Sequence, residues 1–302
     1  MSATIHLLNP AAGKGQLPPA DTLEGEVYFT RGVGDGADYL SKRLKEDGDY
    51  RVYVYGGDGT LHEAAKGIML ADRTANVTLV PVPTGSGNDF YRVTGALEHT
   101  VPCDVIEYNG TYAINEVNVG FDCEVAKRTN VLKSHRFIGG SLSYILGVIC
   151  EFARKRATHL KITVTAEDGS VETFEDDYLL CAVANGRYYG GGFMAAPIAD
   201  VSDGLLDVVI VKNIGRLRFI SIIGVYKNGG HLVGEKGEPL PKLADILTFR
   251  KAVKVTFEGA HRFSADGEIH ENESGVLTVK CIPSAISVRS DLGQDEKEHA
   301  IK

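Results

Sequence analysis

The chain has 302 residues, which is more than one modest domain needs and enough for two. Its 43% hydrophobic and 24% charged residues indicate a globular protein, and its formal net charge of −8 argues against a general nucleic-acid binder. No two of its cysteines lie at CxxC spacing, no apolar stretch is long enough to span a membrane, and the amino end lacks signal-peptide features, so we expect a cytoplasmic protein without a zinc site.

The first hundred residues alternate short apolar strands with helices. This rhythm predicts a mainly parallel sheet with helices on its faces, and such sheets bind ligands at the carboxyl ends of their strands. The predicted strands are Thr4–Leu8, Glu26–Thr30, Arg51–Tyr55 and Val77–Val82, and the predicted helices are Asp35–Asp47 and Leu61–Ala71.

After about residue 100 the pattern changes to short strand-like runs separated by turn signals such as Asp203-Gly204. We therefore expect an α/β domain over 1–100 and a mainly antiparallel β-domain over 101–285. It is left open whether 286–302 belong to the first domain, and the charged tail from Asp291 is expected to fray. The predicted strands here are Tyr112–Val119, Lys161–Ala166, Tyr178–Asn185, Leu205–Val211, Ala252–Phe257 and Val276–Cys281, and the predicted helices are Ser141–Arg154 and Leu217–Val233.

The strongest local signal is Gly56-Gly57-Asp58-Gly59-Thr60, between a predicted strand and the predicted helix from Leu61. Glycines let a backbone approach phosphate oxygens, and the amides that open a helix bind anions. Thr60 is a candidate cap of this helix, and Asp58 suits a phosphate-bound Mg²⁺. A plain turn followed by a capped helix explains the same residues equally well.

Two further polar loops follow predicted strands. Asn9–Gly15 is not a Walker A loop, because no glycine lies five residues before Gly13 and Gly15 replaces the required Ser or Thr. Pro83–Phe90 places small hydroxyl and amide groups among glycines, which suits a nucleotide, although a plain loop with Asn88 or Asp89 as a helix cap fits it too.

Taken together, the three loops resemble the diacylglycerol and sphingosine kinase catalytic-domain family. The resemblance continues through Asn115–Asp122, Ala184–Gly192 and Asp203–Asp207 to Asp266-Gly267-Glu268, so it covers nearly the whole chain. It implies an α/β nucleotide-binding domain like those of NAD kinase and phosphofructokinase, followed by a β-sandwich, with the active site in the cleft between the two domains.

The resemblance also implies an activity, the ATP-dependent transfer of the γ-phosphoryl group to a lipid hydroxyl with Mg²⁺. Glu268 would accept the hydroxyl proton, supported by Asp266 and Asp58, although without the resemblance a hairpin turn explains Asp266-Gly267-Glu268 better. The residues implied to bind the nucleotide are Asn9, Pro10, Ala11, Ala12, Gly13, Thr30, Gly56, Gly57, Asp58, Gly59, Thr60, Leu61, His62, Glu63, Thr84, Gly85, Ser86, Asn88 and Asp89.

A second metal site is implied at the loop Asp200–Leu205, where related kinases hold a structural Mg²⁺. Asp203 would supply a carboxylate, and Asp200 and Leu205 would supply carbonyl oxygens. An Asp-Gly turn without metal is an equally good interpretation.

The lipid, the oligomeric state and the mode of membrane contact are left open. Diacylglycerol, giving phosphatidic acid, is the default acceptor, and a sphingoid base or phosphatidylglycerol are alternatives. An NAD kinase-like phosphotransferase and a non-catalytic nucleotide or lipid sensor are the competing functions, and a homodimer is left open. We expect peripheral contact with the inner membrane face; Phe137–Ala153 with its basic end Arg154–Arg156 is a candidate contact, although a core helix explains it better.

Overall fold

The computed structural model describes residues 2–12, 17–72, 76–85, 87–95, 97, 99–121 and 157–290. Several predicted features lie outside these residues, including the helix Ser141–Arg154, the segment 137–156, the charged tail, Gly13 and Ser86. The described residues form two layered parts that share one long strand.

The first part is a parallel sheet in the order β2-β1-β3-β4, as predicted. Its apolar side chains, such as Ile5 and Val52, are buried against helices α1 and α2, whose Leu40 and Ile68 are fully buried. The elements are β1 (Ala3–Leu8), β2 (Glu26–Phe29), α1 (Asp35–Arg43), β3 (Tyr50–Gly56), α2 (Asp58–Ala71), β4 (Val77–Pro83) and α3 (Asp89–Thr94), with a 3₁₀ turn at Ala20–Thr22.

Two helix boundaries differ from the sequence prediction. Helix α1 ends at Arg43 rather than Asp47, before the turn that contains Gly48 at φ 151°. Helix α2 begins at Asp58 rather than Leu61, because Gly57 adopts the extended N-cap conformation. Thr60 therefore lies inside the first turn, and its prediction as the helix cap is wrong.

The second part is mainly antiparallel, as predicted, in the order β16-β15-β7-β9-β8-β14-β17, with β10 between β9 and β13. Its strands are β5 (Val101–Tyr108), β6 (Thr111–Ala113), β7 (Glu116–Gly120), β8 (Thr158–Thr165), β9 (Val171–Ala184), β10 (Leu206–Lys212), β11 (Leu232–Val233), β12 (Glu238–Pro239), β13 (Leu247–Ala252), β14 (Lys254–Glu258), β15 (Arg262–Ala265), β16 (Glu268–Glu271) and β17 (Val276–Val288), with helix α4 (Arg216–Lys227) and a 3₁₀ turn at Pro241–Leu243.

Several of these elements differ from the prediction. Helix α4 ends at Lys227 rather than Val233, because Gly229 follows at φ 74° and a left-handed glycine terminates helices. The predicted strand over 112–119 is divided at Asn115, whose backbone N–H donates to the Asp266 carboxylate. The predicted strand over 252–257 is likewise two strands, and β5 was not predicted.

Strand β17 connects the two parts. Its first half pairs with β14, and Ser287 and Val288 near its end pair in parallel with β4. The sequence prediction ended this strand at Cys281, seven residues before its observed end at Val288. The sheet of the first part therefore continues through β17 into the second.

Candidate active site

The first loop, residues 9–12, is hydrogen-bonded to the start of α2 through the side chain of Asn9. Asn9 follows β1, its Oδ1 accepts a hydrogen bond from the Ala11 amide (2.9 Å), and its Nδ2 donates to Thr60 Oγ1 (2.8 Å). Both groups of the amide are thus used to hold residues 9–12 beside the first turn of α2. This explains structurally why an asparagine stands at the end of β1.

The second and third loops are in direct backbone contact. The carbonyl of Gly56 accepts hydrogen bonds from the amides of Thr84 (3.0 Å) and Gly85 (3.2 Å). A Cβ on Gly85 would lie only 2.4 Å from the Cα of Gly57, so a side chain at this position would force the loops apart. The glycine clusters at the ends of β3 and β4 therefore form one compact surface.

The amino end of α2 lies in this surface, and its first backbone amides are not bonded within the helix. The first intrahelical bond runs from the Leu61 amide to the Gly57 carbonyl, so the amides of Asp58, Gly59 and Thr60 have no partner within the helix. A Cβ on Gly59 would meet no atom within 4 Å, so the helix end is open on that side. Amides of this kind and the helix dipole attract an anion such as a phosphate.

Two carboxylates lie next to this helix end. Asp58 Oδ1 accepts the Phe90 amide (3.3 Å), and Asp89 Oδ2 accepts the Gly191 amide (2.7 Å). Burial, and then the charge of Asp89, raise the pKa of Asp58 to about 7. Two repelling carboxylates beside a phosphate-type site are a donor set that a hard divalent cation such as Mg²⁺ would suit.

Asp266 lies in the second part, in the two-residue turn between β15 and β16. Asp266 and Gly267 have φ angles of 47° and 84°, as in a type I′ hairpin turn. The Asp266 carboxylate accepts the amides of 114, 115 and 116, each at 2.9 Å, and His62 Nδ1 at 2.8 Å. Burial alone would raise the pKa of Asp266, but His62 and these amides outweigh burial and hold it below its ordinary value.

Glu268 opens β16 directly after this turn. Its side chain is 40% exposed, and its Oε2 lies 3.9 Å from His62 Nε2. His62 lies one helical turn after Asp58 on α2, so the α2–hairpin contact brings Glu268 toward the phosphate-type site. The structure thus gathers the three predicted catalytic residues, Asp58, Asp266 and Glu268, around one helix.

Some residues predicted to bind nucleotide have other contacts. Both carboxylate oxygens of Glu63 accept backbone amides, from Gly34 (2.8 Å) and Gly36 (3.0 Å), at the start of α1. The Leu61 side chain is buried in the first core. Their nucleotide contacts stay predictions, with Glu63 placed to hold the loop that follows Thr30.

Sequence reasoning missed Asp104 as an organising residue of the second part. Its buried carboxylate accepts the amides of Gly204 and Ser284, both at 2.7 Å, and so connects β5 with the loop before β10 and with β17. The signal was present, because Asp104 is an acidic residue within the apolar run Val101–Tyr108.

The loop predicted to hold a structural Mg²⁺ is in contact with the ammonium group of Lys251, which lies on β13. Asp203 Oδ1 accepts the Leu205 amide (3.0 Å), and Asp203 Oδ2 lies 2.6 Å from Lys251 Nζ, which is also 2.9 Å from Asp207 Oδ1. Among the described residues no group of three or more His, Cys, Asp or Glu side chains could hold a metal. The Mg²⁺ assignment at Asp200, Asp203 and Leu205 stays a prediction, which the ammonium contact does not favour.

Removing this ammonium is expected to destabilise the protein in a pH-dependent way. Asp207 is buried, and burial raises its pKa to about 6 although Lys251 lowers it. A raised folded-state pKa contributes stability at low pH that is lost as pH rises through that value. We therefore expect Lys251→Met to cost about 3 kcal/mol at pH 8, where Asp207 is ionised, and much less at pH 5.

Urea unfolding at both pH values measures this difference, with Lys251→Arg as the charge-preserving control. An equal loss at pH 5 and pH 8 would show that Lys251 contributes packing rather than charge.

Comparison with known proteins matches two family models to the chain, one ending at residue 113 and the other beginning at residue 115. Residues 5–113 match the family model of the diacylglycerol kinase catalytic domain, and residues 115–290 match that of the YegS C-terminal NAD kinase beta sandwich-like domain. A "Probable lipid kinase YegS-like" of Chromohalobacter salexigens is 29% identical over 90% of this chain and 86% of its own. One of the same name from Pseudomonas aeruginosa is 31% identical over 62% of this chain and 66% of its own.

Solved structures share the fold. A crystal structure of a diacylglycerol kinase from Bacillus anthracis has a TM-score of 0.65 over 95% of this chain and 96% of that chain, at 22% identity. The two matching family models together cover nearly all described residues. The chain therefore belongs to the diacylglycerol kinase catalytic-domain family with a YegS-type C-terminal domain, a family of lipid kinases.

Proposed function

We propose that the protein transfers the γ-phosphoryl group of ATP to the hydroxyl of a lipid, with diacylglycerol as the first candidate acceptor and phosphatidic acid as its product. The observation that carries this proposal is the hydrogen bond between His62 and Asp266. It joins the helix whose amino end faces the glycine loops to the hairpin that carries Glu268. This contact supports the proposal because it brings the proposed phosphate site and the partly exposed Glu268 carboxylate to the same helix.

The nucleotide phosphates would bind the open amides at the start of α2 and the compact loops at Gly56–Gly57 and Thr84–Gly85. Asp58 and Asp89 would hold Mg²⁺ there, and the ion when bound neutralises phosphate charge. Binding of a cation would also favour the ionised form of Asp58, whose pKa is raised to about 7 by burial and Asp89. Asn9 fixes the first loop against Thr60 and so keeps the phosphate surface in one shape.

Glu268 would act as the general base. Its carboxylate takes the proton of the lipid hydroxyl, the hydroxyl oxygen bonds to the γ-phosphorus, and the bond from that phosphorus to the β,γ-bridging oxygen breaks. The bond's electron pair leaves on ADP. Because phosphoryl transfer depends mainly on positioning and charge neutralisation, the fixed hairpin turn at Asp266 is an essential part of this arrangement.

An apolar pocket in the second part is a candidate site for the acyl chain. It encloses about 570 Å³ of space, which includes open solvent at its mouth. Tyr189 lines the pocket, and Gly191, two residues later, donates to Asp89, so one chain segment contacts both the pocket and the proposed phosphate site. Other lining residues include Phe121, Leu179, Phe193, Phe219, Ile223 and Leu247.

The outer face of α4 is a candidate membrane contact. Phe219 and Ile223 of this helix line the pocket, whereas Leu217 and Ile220 point away and are 85% and 60% exposed. No helix in the described part of the chain is long and apolar enough to cross a membrane. A shallow contact through α4 would place the pocket next to the bilayer from which a lipid is drawn.

We expect the double variant Leu217→Ser with Ile220→Ser to lower affinity for phosphatidylglycerol-containing vesicles roughly 10–100-fold, because two apolar side chains no longer enter the bilayer. Vesicle sedimentation measures this effect. Val171→Ser is the control, since Val171 is 59% exposed on β9, away from the pocket. Equal loss in the control would contradict a contact specific to α4.

The function itself is tested by transfer of labelled γ-phosphate from ATP with Mg²⁺. Acceptors would be mixed micelles of diacylglycerol, sphingosine, ceramide and phosphatidylglycerol, with NAD as a soluble control. Label entering one lipid supports the proposal and identifies the acceptor. Label entering NAD alone would show an NAD kinase-like activity, and ATP binding without transfer to any acceptor would indicate a sensor.

A further inference from the structure

His62 is buried between the two carboxylates of the hairpin. Its side chain is 2% exposed, Nδ1 lies 2.8 Å from Asp266 Oδ2, and Nε2 lies 3.9 Å from Glu268 Oε2. The two ring nitrogens therefore face different carboxylates on either side of the turn. No other described histidine has its two nitrogens directed at a pair of catalytic carboxylates.

The hydrogen bonds of Asp266 determine the tautomer of His62. Asp266 accepts three backbone amides, and these together with His62 hold its pKa low, so the carboxylate is ionised and can only accept. The proton of a neutral His62 must then lie on Nδ1. The lone pair of Nε2 is consequently directed toward Glu268.

We propose that Asp266, His62 and Glu268 form a proton relay, in which His62 Nε2 receives from Glu268 the proton that Glu268 takes from the acceptor hydroxyl. This inference rests on the proposed kinase function. The proton moves from the hydroxyl oxygen to Glu268 Oε and then to His62 Nε2, where ionised Asp266 stabilises the imidazolium. After the phosphorylated lipid leaves, the proton passes to water through Glu268, which is 40% exposed, because His62 itself is buried. Glu268 is thereby returned to its carboxylate form for the next turnover.

The environment of His62 fits this role. Burial disfavours its charged form, but the hydrogen bond that it donates to Asp266 and the charges of Asp266 and Glu268 raise its pKa in spite of nearby Lys66. The relay therefore operates at pH values above that pKa, where the ring is neutral and Nε2 can accept a proton. Burial lowers the pKa of His270 on β16, and the charge of His62 lowers it further, whereas the charge of Glu268 raises it. Because Glu268 is 40% exposed and His62 is fixed, a small movement of Glu268 or one bridging water closes the 3.9 Å gap.

The alternative is a buried histidine that only holds the hairpin in place. NMR of the ¹⁵N-labelled full chain separates the two, with His62 assigned by the signal missing in His62→Gln. We expect the neutral ring in the Nδ1–H tautomer, and we expect Glu268→Gln to lower the pKa of His62 because a facing negative charge is removed. An Nε2–H tautomer, or a pKa unchanged by Glu268→Gln, would overturn the relay.

Kinetics give the second readout. We expect His62→Gln to lower kcat roughly 10–100-fold with little change in KM for ATP, and to move the acidic limb of the kcat–pH profile to lower pH. His159→Gln is the matched control, because the two ring nitrogens of His159 also face two carboxylates, Asp177 at 3.0 Å and Glu175 at 3.8 Å, on the exposed strand pair β8–β9. Its profile should match wild type. A lower kcat with an unchanged limb would assign His62 a purely structural role.

The NMR measurement does not depend on turnover, so it distinguishes the relay from the kinase function. Wild-type protein that shows the Nδ1–H tautomer and the Glu268 coupling, but transfers phosphate to no lipid, would contradict the proposed function and with it the relay's catalytic purpose. Wild-type protein that transfers phosphate to a lipid but has the Nε2–H tautomer would contradict the relay alone.

Discussion

Asp266→Asn is expected to cost about 3–5 kcal/mol of unfolding free energy, because an asparagine has one acceptor oxygen where the carboxylate has two. The carboxylate now accepts three amides and His62, and the amide NH₂ of an asparagine would face one of these donors instead. Thermal unfolding should show a fall of roughly 10 °C in Tm. Phosphoryl transfer should be lost as well, since the turn that positions Glu268 is no longer held.

The pH dependence of this difference follows from the low pKa of Asp266. A carboxyl with a depressed folded-state pKa contributes stability above its unfolded pKa and loses it as pH falls through the folded value. The gap in unfolding free energy between wild type and Asp266→Asn should therefore narrow below about pH 4. A gap that widens on acidification would contradict the ionised state assigned to Asp266.

Asp168→Asn is the control for this experiment. Asp168 also accepts a backbone amide in a turn, that of Ser170 at 2.9 Å, but it is exposed. Water can replace that hydrogen bond, so the control should unfold close to wild type. The difference between the two variants therefore measures how much the burial of the Asp266 carboxylate adds to the cost of losing an acceptor oxygen.

The parallel first sheet could be predicted because local pattern and long-range pairing agree there. Strand β3 alternates buried and half-buried side chains along Tyr50–Gly56, and its end coincides with the glycine cluster. The start of α2 was less predictable, because Asp58 and Thr60 both favour helix caps and only the extended backbone of Gly57 decides between them.

In the second part, strand boundaries predicted from the sequence were wrong where hydrogen bonds between distant residues override the local strand preference. The apolar run around Asn115 reads as one strand, but the Asn115 amide is used by Asp266, which is 151 residues away. The contact of His62 with Asp266 spans 204 residues and has no local signal at all. Such contacts define the site, so a pattern of motifs can identify its residues without showing which of them touch.

The site therefore combines predictable and unpredictable components. The glycine loops, Asp58 and the Asp266–Glu268 turn were all identified from motifs, and the structure brings them together. His62 was predicted only as a nucleotide-binding residue, and its contact with Asp266 was not predicted from the sequence. Lys251 was also missed, because a single lysine in a strand gives no sign that it will face Asp203 and Asp207.

Glu268→Gln should lower kcat roughly 10²–10⁴-fold, because a carboxamide of nearly the same shape cannot accept the hydroxyl proton. ATP affinity should stay close to wild type, since the α2 amides and the loops at Gly56 and Gly85 are untouched. Unfolding free energy should also stay close to wild type, because Glu268 is 40% exposed and makes no buried contact like that of Asp266. Rate measurements with the lipid acceptor identified by labelling, and titration of ATP, separate the two effects.

The matched control is Glu271→Gln, on the same strand and three residues farther along. Side chains alternate between the faces of a strand, so Glu271 points opposite to Glu268, where it pairs with Arg262 at 2.7 Å. Its kcat should remain within about twofold of wild type, because an exposed ion pair contributes little. Equal losses in both variants would mean that acidic charge on β16, rather than a base at Glu268, supports the reaction. A loss confined to Glu268→Gln, with ATP binding and stability preserved, would assign the proton-accepting step to this carboxylate.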